Sequence, residues 1–241
     1  MRSLIAIFSM VVSSQANAAL APISVKSDKY LSVKEALLLP MENRASALKA
    51  QGAKGEAALA TLMFDETASM DIRWKAITSA GLLGANSLKP QIKKALVANE
   101  WFVRNAALVA LESIDRNEAK TWAKKFLDDK ALVVRSAAVE TLSRLDDRSA
   151  ASMLWKKLSA KENFRGSQSL WIRKQITTAL AQLDKSESHG RFIDLLEDRD
   201  EGVQEAAVKA LELRTGQQLG GEKEPVKFKR AYWQQWWRER V

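Results

Sequence analysis

Apolar residues recur along this chain at helical spacing, in a unit that repeats. The segments Asp71-Ile72-Arg73-Trp74-Lys75-Ala76-Ile77, Phe102-Val103-Arg104-Asn105-Ala106-Ala107-Leu108, Val133-Val134-Arg135-Ser136-Ala137-Ala138-Val139, Trp171-Ile172-Arg173-Lys174-Gln175-Ile176-Thr177 and Gly202-Val203-Gln204-Glu205-Ala206-Ala207-Val208 align as five copies. The column Arg73, Arg104, Arg135, Arg173, Gln204 is spaced 31, 31, 38 and 31 residues, so the fourth copy carries seven extra residues. Such a fixed period marks stacked supersecondary units.

In the second copy Val103, Ala107, Leu108, Leu111 and Ile114 fall on one helical face. A second apolar pattern precedes each such helix: Ile92 and Leu96, then Trp122, Phe126 and Leu127, then Leu154 and Leu158, then Phe192, Leu195 and Leu196. Each repeat is therefore expected to be two helices. Asp115, Asp146 and Asp184, each eleven residues past the arginine column, are expected to cap the next helix, with Glu118 completing a capping box at Asp115. Ser32 with Glu35 reads as a further capping box, opening a helix that stops at Pro40.

The run Leu196-Glu197-Asp198-Arg199-Asp200-Glu201-Gly202-Val203 resembles the HEAT-like repeats, including those named after the phycobilisome lyases, although Gln204 stands where the pattern has Arg. The resemblance covers about Arg44 to Leu213. It implies an all-α, right-handed α-solenoid of about five to six helix pairs, and says almost nothing about function, because the same scaffold serves unrelated partners. The lyase activity is not carried over. The expected organisation is a signal peptide over 1–18, an N-terminal cap over 19–40, the solenoid over 41–214 and a Trp-rich capping tail over 215–241. Thr215-Gly216 should stop the last helix, and Trp233, Trp236 and Trp237 should cover the last apolar face.

Composition narrows the function. Arg2, the apolar stretch Leu4 to Val12 and Ala16-Asn17-Ala18 read as a secretory signal cleaved after Ala18, so the mature chain is expected to be a soluble periplasmic protein, acting as a monomer. The chain has no Cys, which removes disulfides, thiolate nucleophiles and cysteine metal sites. His189 is the only His and sits at a helix start beside Gly190, expected as a surface or capping residue. With no nucleophile turn and no Gly-rich phosphate loop, the sequence points to a non-catalytic protein without cofactor or metal.

The formal charge is +9, which falls to +8 if Arg2 leaves with the signal. Lys94, Lys125 and Lys156 repeat at 31 residues on the first helix of each pair, the convex side in HEAT-like solenoids, with Lys93, Lys124 and Lys157 beside them. On the second helices Lys75, Arg144, Lys174 and Lys209 are balanced by Glu112, Glu140, Glu205 and Glu212, so a continuous basic groove for nucleic acid is not expected. The inserted loop near Phe164 and Arg165 interrupts a regular scaffold, a favoured place for function, and joins an aromatic-rich edge at Trp74, Trp101, Phe102 and Trp171. The expectation is a scaffold that binds a protein or extended peptide through Phe164, Arg165, Arg144 and Lys174. The alternative is an envelope adaptor whose lysine rows meet anionic lipid or lipopolysaccharide.

Overall fold

A computed structural model describes residues 20–186 and 189–240. The expected signal Met1–Ala18 and its cleavage point lie outside these residues. Thirteen α-helices form among them: α1 Asp28–Ala36, α2 Met41–Lys49, α3 Gly52–Leu62, α4 Met70–Leu82, α5 Lys89–Leu96, α6 Trp101–Ile114, α7 Arg116–Phe126, α8 Leu132–Arg144, α9 Ala151–Leu158, α10 Ile172–Leu183, α11 Gly190–Asp194, α12 Glu201–Thr215 and α13 Val226–Arg238. Two short strands, β1 Phe164–Arg165 and β2 Gln168–Ser169, complete the set. The fold is an all-α solenoid, with five pairs from α3/α4 to α11/α12 preceded by α1 and α2.

The second helices α4, α6, α8, α10 and α12 pack on one another in series and form the inner layer. The first helices lean on them from outside. On α6, Val103, Ala107, Leu108 and Leu111 are fully buried, as the helical spacing requires. Each large aliphatic removed from water contributes roughly 1.5–3 kcal/mol. Small residues set the approach: a Cβ on Gly81 would lie 2.6 Å from the Cα of Ala110, so α4 and α6 touch backbone to backbone. Leu108→Ala in this layer would cost about 2–5 kcal/mol by transfer loss plus cavity.

The arginine column joins the repeats. Each Arg is buried at the start of its second helix and reaches two ways. Toward its own first helix it donates to carbonyls left unpaired at that helix's end: Arg73 Nε to Met63 (3.3 Å), Arg104 Nη1 to Ala98 and Asn99 (2.8 and 2.7 Å), Arg173 Nε to Leu158 (2.7 Å). Toward the next repeat it pairs with a carboxylate in the turn: Arg73 with Glu100 (3.0 Å), Arg104 with both oxygens of Asp129 (2.7 Å each), Arg173 with Asp198 (3.0 and 2.5 Å). Arg135 departs from the column, because its next turn holds the insertion. Its Nε meets Asn163 Oδ1 (3.0 Å) and its Nη2 the Glu162 carbonyl (2.5 Å). Gln204 closes the series on itself, donating to the Asp198 carbonyl and accepting from Arg230 of α13 (3.3 Å).

The helix ends correct several expectations. Ser27, not Ser32, caps α1 by accepting from the Tyr30 N–H, and Ser32 instead accepts from Gln51. Asp115 does cap α7 through the Glu118 N–H (2.9 Å), but the Glu118 carboxylate turns to Lys89 and Lys93 and leaves the capping box half made. Asp146 adopts a left-handed φ of 46° and pairs with Arg148, while Asp147 beside it takes Ser149 and Lys124. Asp184 binds the Ser186 N–H and the Trp155 indole N–H (2.9 and 2.7 Å) rather than opening α11. Gly216 ends α12 at φ 68°, the left-handed stop that glycine adopts without a Cβ clash. Beyond it α13 packs on α11 and α12, and Trp233 is fully buried there.

Candidate functional site

The seven extra residues make a minimal hairpin between α9 and α10. A 3-10 turn over Lys161–Asn163 leads into β1, which pairs antiparallel with β2 in the register Phe164 to Ser169 and Arg165 to Gln168. Gly166, at φ 61° with open space around it, allows the tight reversal. Asn163 is buried and fastens the base: its Nδ2 donates to the Lys157 carbonyl (2.8 Å), and its own carbonyl accepts from the Leu170 N–H (3.0 Å). The Phe164 ring is half buried with the Arg173 guanidinium 4.6 Å from its centroid, and Arg165 is exposed. Between the hairpin and the start of α12 lies an open cleft of about 720 Å³, lined among others by Phe164, Ser167, Arg173, Asp198 and Glu201.

Of the four expected contact residues, three share this end of the array. Lys174 lays its stem across the start of α12, where a Cβ on Gly202 would come within 3.2 Å of its Cδ, and its ammonium pairs with Glu205 (2.8 Å). Arg144 does not join them. Counted from the arginine column it sits nine residues along its helix, where Lys174 sits one, and at 1.5 Å per residue that separates the two levels by roughly 12 Å. Its guanidinium is held by Glu112 of the preceding repeat (2.7 Å) and by Glu140 (3.0 Å). The inner layer thus neutralises its own charges across repeats and presents little unpaired charge to a partner.

The turn edge is different. Met70, Trp74, Trp101, Val133 and Trp171 stand at the N-terminal ends of successive second helices and remain 55, 37, 43, 45 and 55% exposed. Packing explains only their neighbours: Phe102 is half buried with Arg73 5.1 Å from its ring, as Phe164 is with Arg173. Helices stack 8–10 Å apart, so four repeats spread this apolar row over roughly 30 Å. Arg165 is exposed on the hairpin that leads into its last member, Trp171.

Residues 56–143 match the family model described as HEAT repeats. Over that stretch the helix pairs match HEAT repeats. Among solved structures it is similar to an engineered protein, with 19% identity, a TM-score of 0.49 and coverage of 83% of this chain and 95% of that one. It is also similar to the complex of CpcE and CpcF of phycocyanin lyase from Nostoc sp. PCC7120, with 17% identity, a TM-score of 0.42 and coverage of 79% and 78%. No curated protein matches the chain significantly.

Along the first helices the adjacent lysines have opposite fates. Lys93 pairs with Glu118 (2.8 Å), Lys124 with Asp147 (2.9 Å), and Lys157 with Asp128 and with Glu162 (3.1 Å). Lys94, Lys125 and Lys156 are exposed and make no carboxylate contact among the described residues. Lys94 instead lies 4.4 Å from the centroid of the half-buried Phe64 ring, and Lys125 4.5 Å from that of Trp122. His189 makes no capping hydrogen bond to α11: its ring packs 5.9 Å from Trp236 and its Nδ1 has no partner among the described residues. Burial, and then the Arg214 charge, push its pKa down and keep it neutral near pH 7.

Proposed function

We propose that this HEAT-repeat protein is a non-catalytic scaffold of the periplasm that receives a protein or extended peptide along its turn edge. The observation that carries the reading is the exposed row Met70, Trp74, Trp101, Val133 and Trp171, renewed once per repeat and holding all three exposed Trp side chains of the described residues. Aromatic rings offer a partner much area for little lost side-chain freedom, and Trp and Arg are the residues most enriched at interface hot spots. Arg165 supplies the charged neighbour. The inner-layer residues Arg144 and Lys174 contribute register rather than attraction, since each already has a carboxylate.

A photo-crosslinking residue placed at Trp101 or Trp171 in cells should capture a discrete partner, whereas one at Thr121 on the outer layer should not. Equal labelling from both layers would sink the turn-edge reading. Export is tested separately: the mature chain should begin at Ala19 by intact mass and be released with the periplasmic fraction.

A further inference from the structure

We propose that the outer layer, centred on Lys94, Lys125 and Lys156, is a docking face for an anionic phospholipid bilayer. Helices α5, α7 and α9 together hold nine basic residues against the single acid Glu118, a net +8 within the helices, and the flanking turns add Asp115, Asp128, Asp147 and Glu162 as partners of some of them. The inner helices α4, α6, α8, α10 and α12 hold nine basic residues against six acids, and α13 holds four against none. The largest single excess of positive charge therefore lies on the outer helices, a distribution that steers a molecule onto an extended anionic surface.

The pairing pattern separates structural lysines from available ones. Lys93, Lys124 and Lys157 are each engaged by a carboxylate from a neighbouring repeat or turn, which accounts for them as glue. Lys94 and Lys125, each one residue on, and Lys156, one residue before Lys157, hold a strict 31-residue period and have no carboxylate partner among the described residues. Two of their ammoniums are instead set over rings, Phe64 and Trp122, that are themselves half exposed. Lys125 beside the amphipathic Trp122 ring suits the headgroup level of a bilayer, where Trp is enriched and ammoniums meet phosphates.

Lipid is favoured over an acidic protein by the kind and spread of charge. Eight of the nine cations are Lys and only Arg116 is Arg. Lysines act as hydrated point charges, without the planar fork that recognises individual carboxylates. Adjacent first helices stand roughly 10 Å apart, and the three ammoniums are presented one per repeat without converging. A dispersed row of this kind matches a continuous sheet of anions better than a single acidic segment.

The test is cosedimentation of the full mature chain with vesicles of phosphatidylglycerol and phosphatidylcholine, against vesicles of phosphatidylcholine alone. The parent should bind only the anionic vesicles and lose binding as rising salt shortens the Debye length to about 8 Å and below. Lys94→Gln/Lys125→Gln/Lys156→Gln should weaken binding on the order of a hundredfold, taking about fivefold for each lysine at an anionic surface. Lys75→Gln/Lys209→Gln, on the inner helices, should bind as the parent does. Circular dichroism melts confirm that both variants fold. Parent-like binding by the triple variant overturns the proposal, as does failure of the parent to bind anionic vesicles. Binding to soluble polyglutamate or to lipopolysaccharide micelles but not to the phospholipid vesicles overturns it too, and reassigns the face to that polyanion. Because the face lies on the outer layer, its loss leaves crosslinking from Trp101 and Trp171 unaffected, so this proposal and the turn-edge reading fail independently.

Discussion

Arg104 and Arg135 occupy the same position in consecutive repeats, yet they are held by different chemistry. Arg104 is 7% exposed at its side chain and forms two parallel bonds to an equally buried Asp129. That pairing raises the Arg104 pKa, whereas burial lowers the Arg135 pKa because the groups touching it are carbonyls and an amide. The difference comes from the seven inserted residues, which put Asn163 where the regular turn supplies a carboxylate. One joint in the array was thus made neutral where the hairpin was added.

The largest test of this contrast is Asp129→Ala. Removing it leaves a buried guanidinium without its counter-charge, a change that costs roughly 3–5 kcal/mol, read from the midpoint of urea unfolding. The equivalent change at the neutral joint, Asn163→Ala, removes acceptor and donor together and should cost about 1–3 kcal/mol. If the two variants lose the same stability, the charge on Asp129 adds nothing to the joint.

Acid should sharpen the same distinction. Burial raises the Asp129 pKa, but the bonds from Arg104 and from the Ala131 N–H outweigh it and leave it below the ordinary carboxylate value. A carboxyl depressed in the folded state stabilises above its unfolded pKa of about 3.9 and loses that contribution as pH falls through the lower folded value. Stability should therefore fall below about pH 4 in the parent, and fall less steeply over that range in Asp129→Ala. The shallow limb is the diagnostic, since Asp198 is depressed in the same way by Arg173 and will keep part of the slope.

The smallest effects belong to the hairpin. Phe164→Leu keeps apolar volume but removes the ring beneath Arg173, and should cost about 0.5–2 kcal/mol. Arg165→Ala should stay within roughly 0.5 kcal/mol of the parent, as an exposed side chain with no ion pair. A large stability loss in Arg165→Ala would assign it to the scaffold and withdraw it from the binding edge.

Much of the fold was legible because helical burial repeats at a period the sequence displays: the pairs, the position of the insertion and the Gly216 stop all follow from local spacing. What was not legible depends on neighbours one repeat away. Nothing local distinguishes Lys93 from Lys94, and only the placement of Glu118 on α7 decides which is consumed. Arg144 and Lys174 read as available charges until Glu112 and Glu205 arrive from adjacent helices. Phe164 read as a contact residue because the guanidinium that covers it lies nine residues further on. Ser32 and Asp146 satisfied local capping patterns, but Ser27 and a left-handed turn took those roles.

The arginine joints also have a mechanical meaning. They connect the repeats in series, so tension applied between the first and last helices passes through every joint at full magnitude. A chain of links yields at its weakest one, and here that is the neutral joint between Arg135 and Asn163. Under load the array should part first at the hairpin, as two blocks that each keep a charged joint: α3 to α8 through Arg73 and Arg104, and α9 to α12 through Arg173. Optical-trap extension would show this as a first step at lower force, and Asp129→Ala should move the first break one repeat earlier. The loop that interrupts the period would then serve as a fuse, protecting the repeats on either side by opening before them.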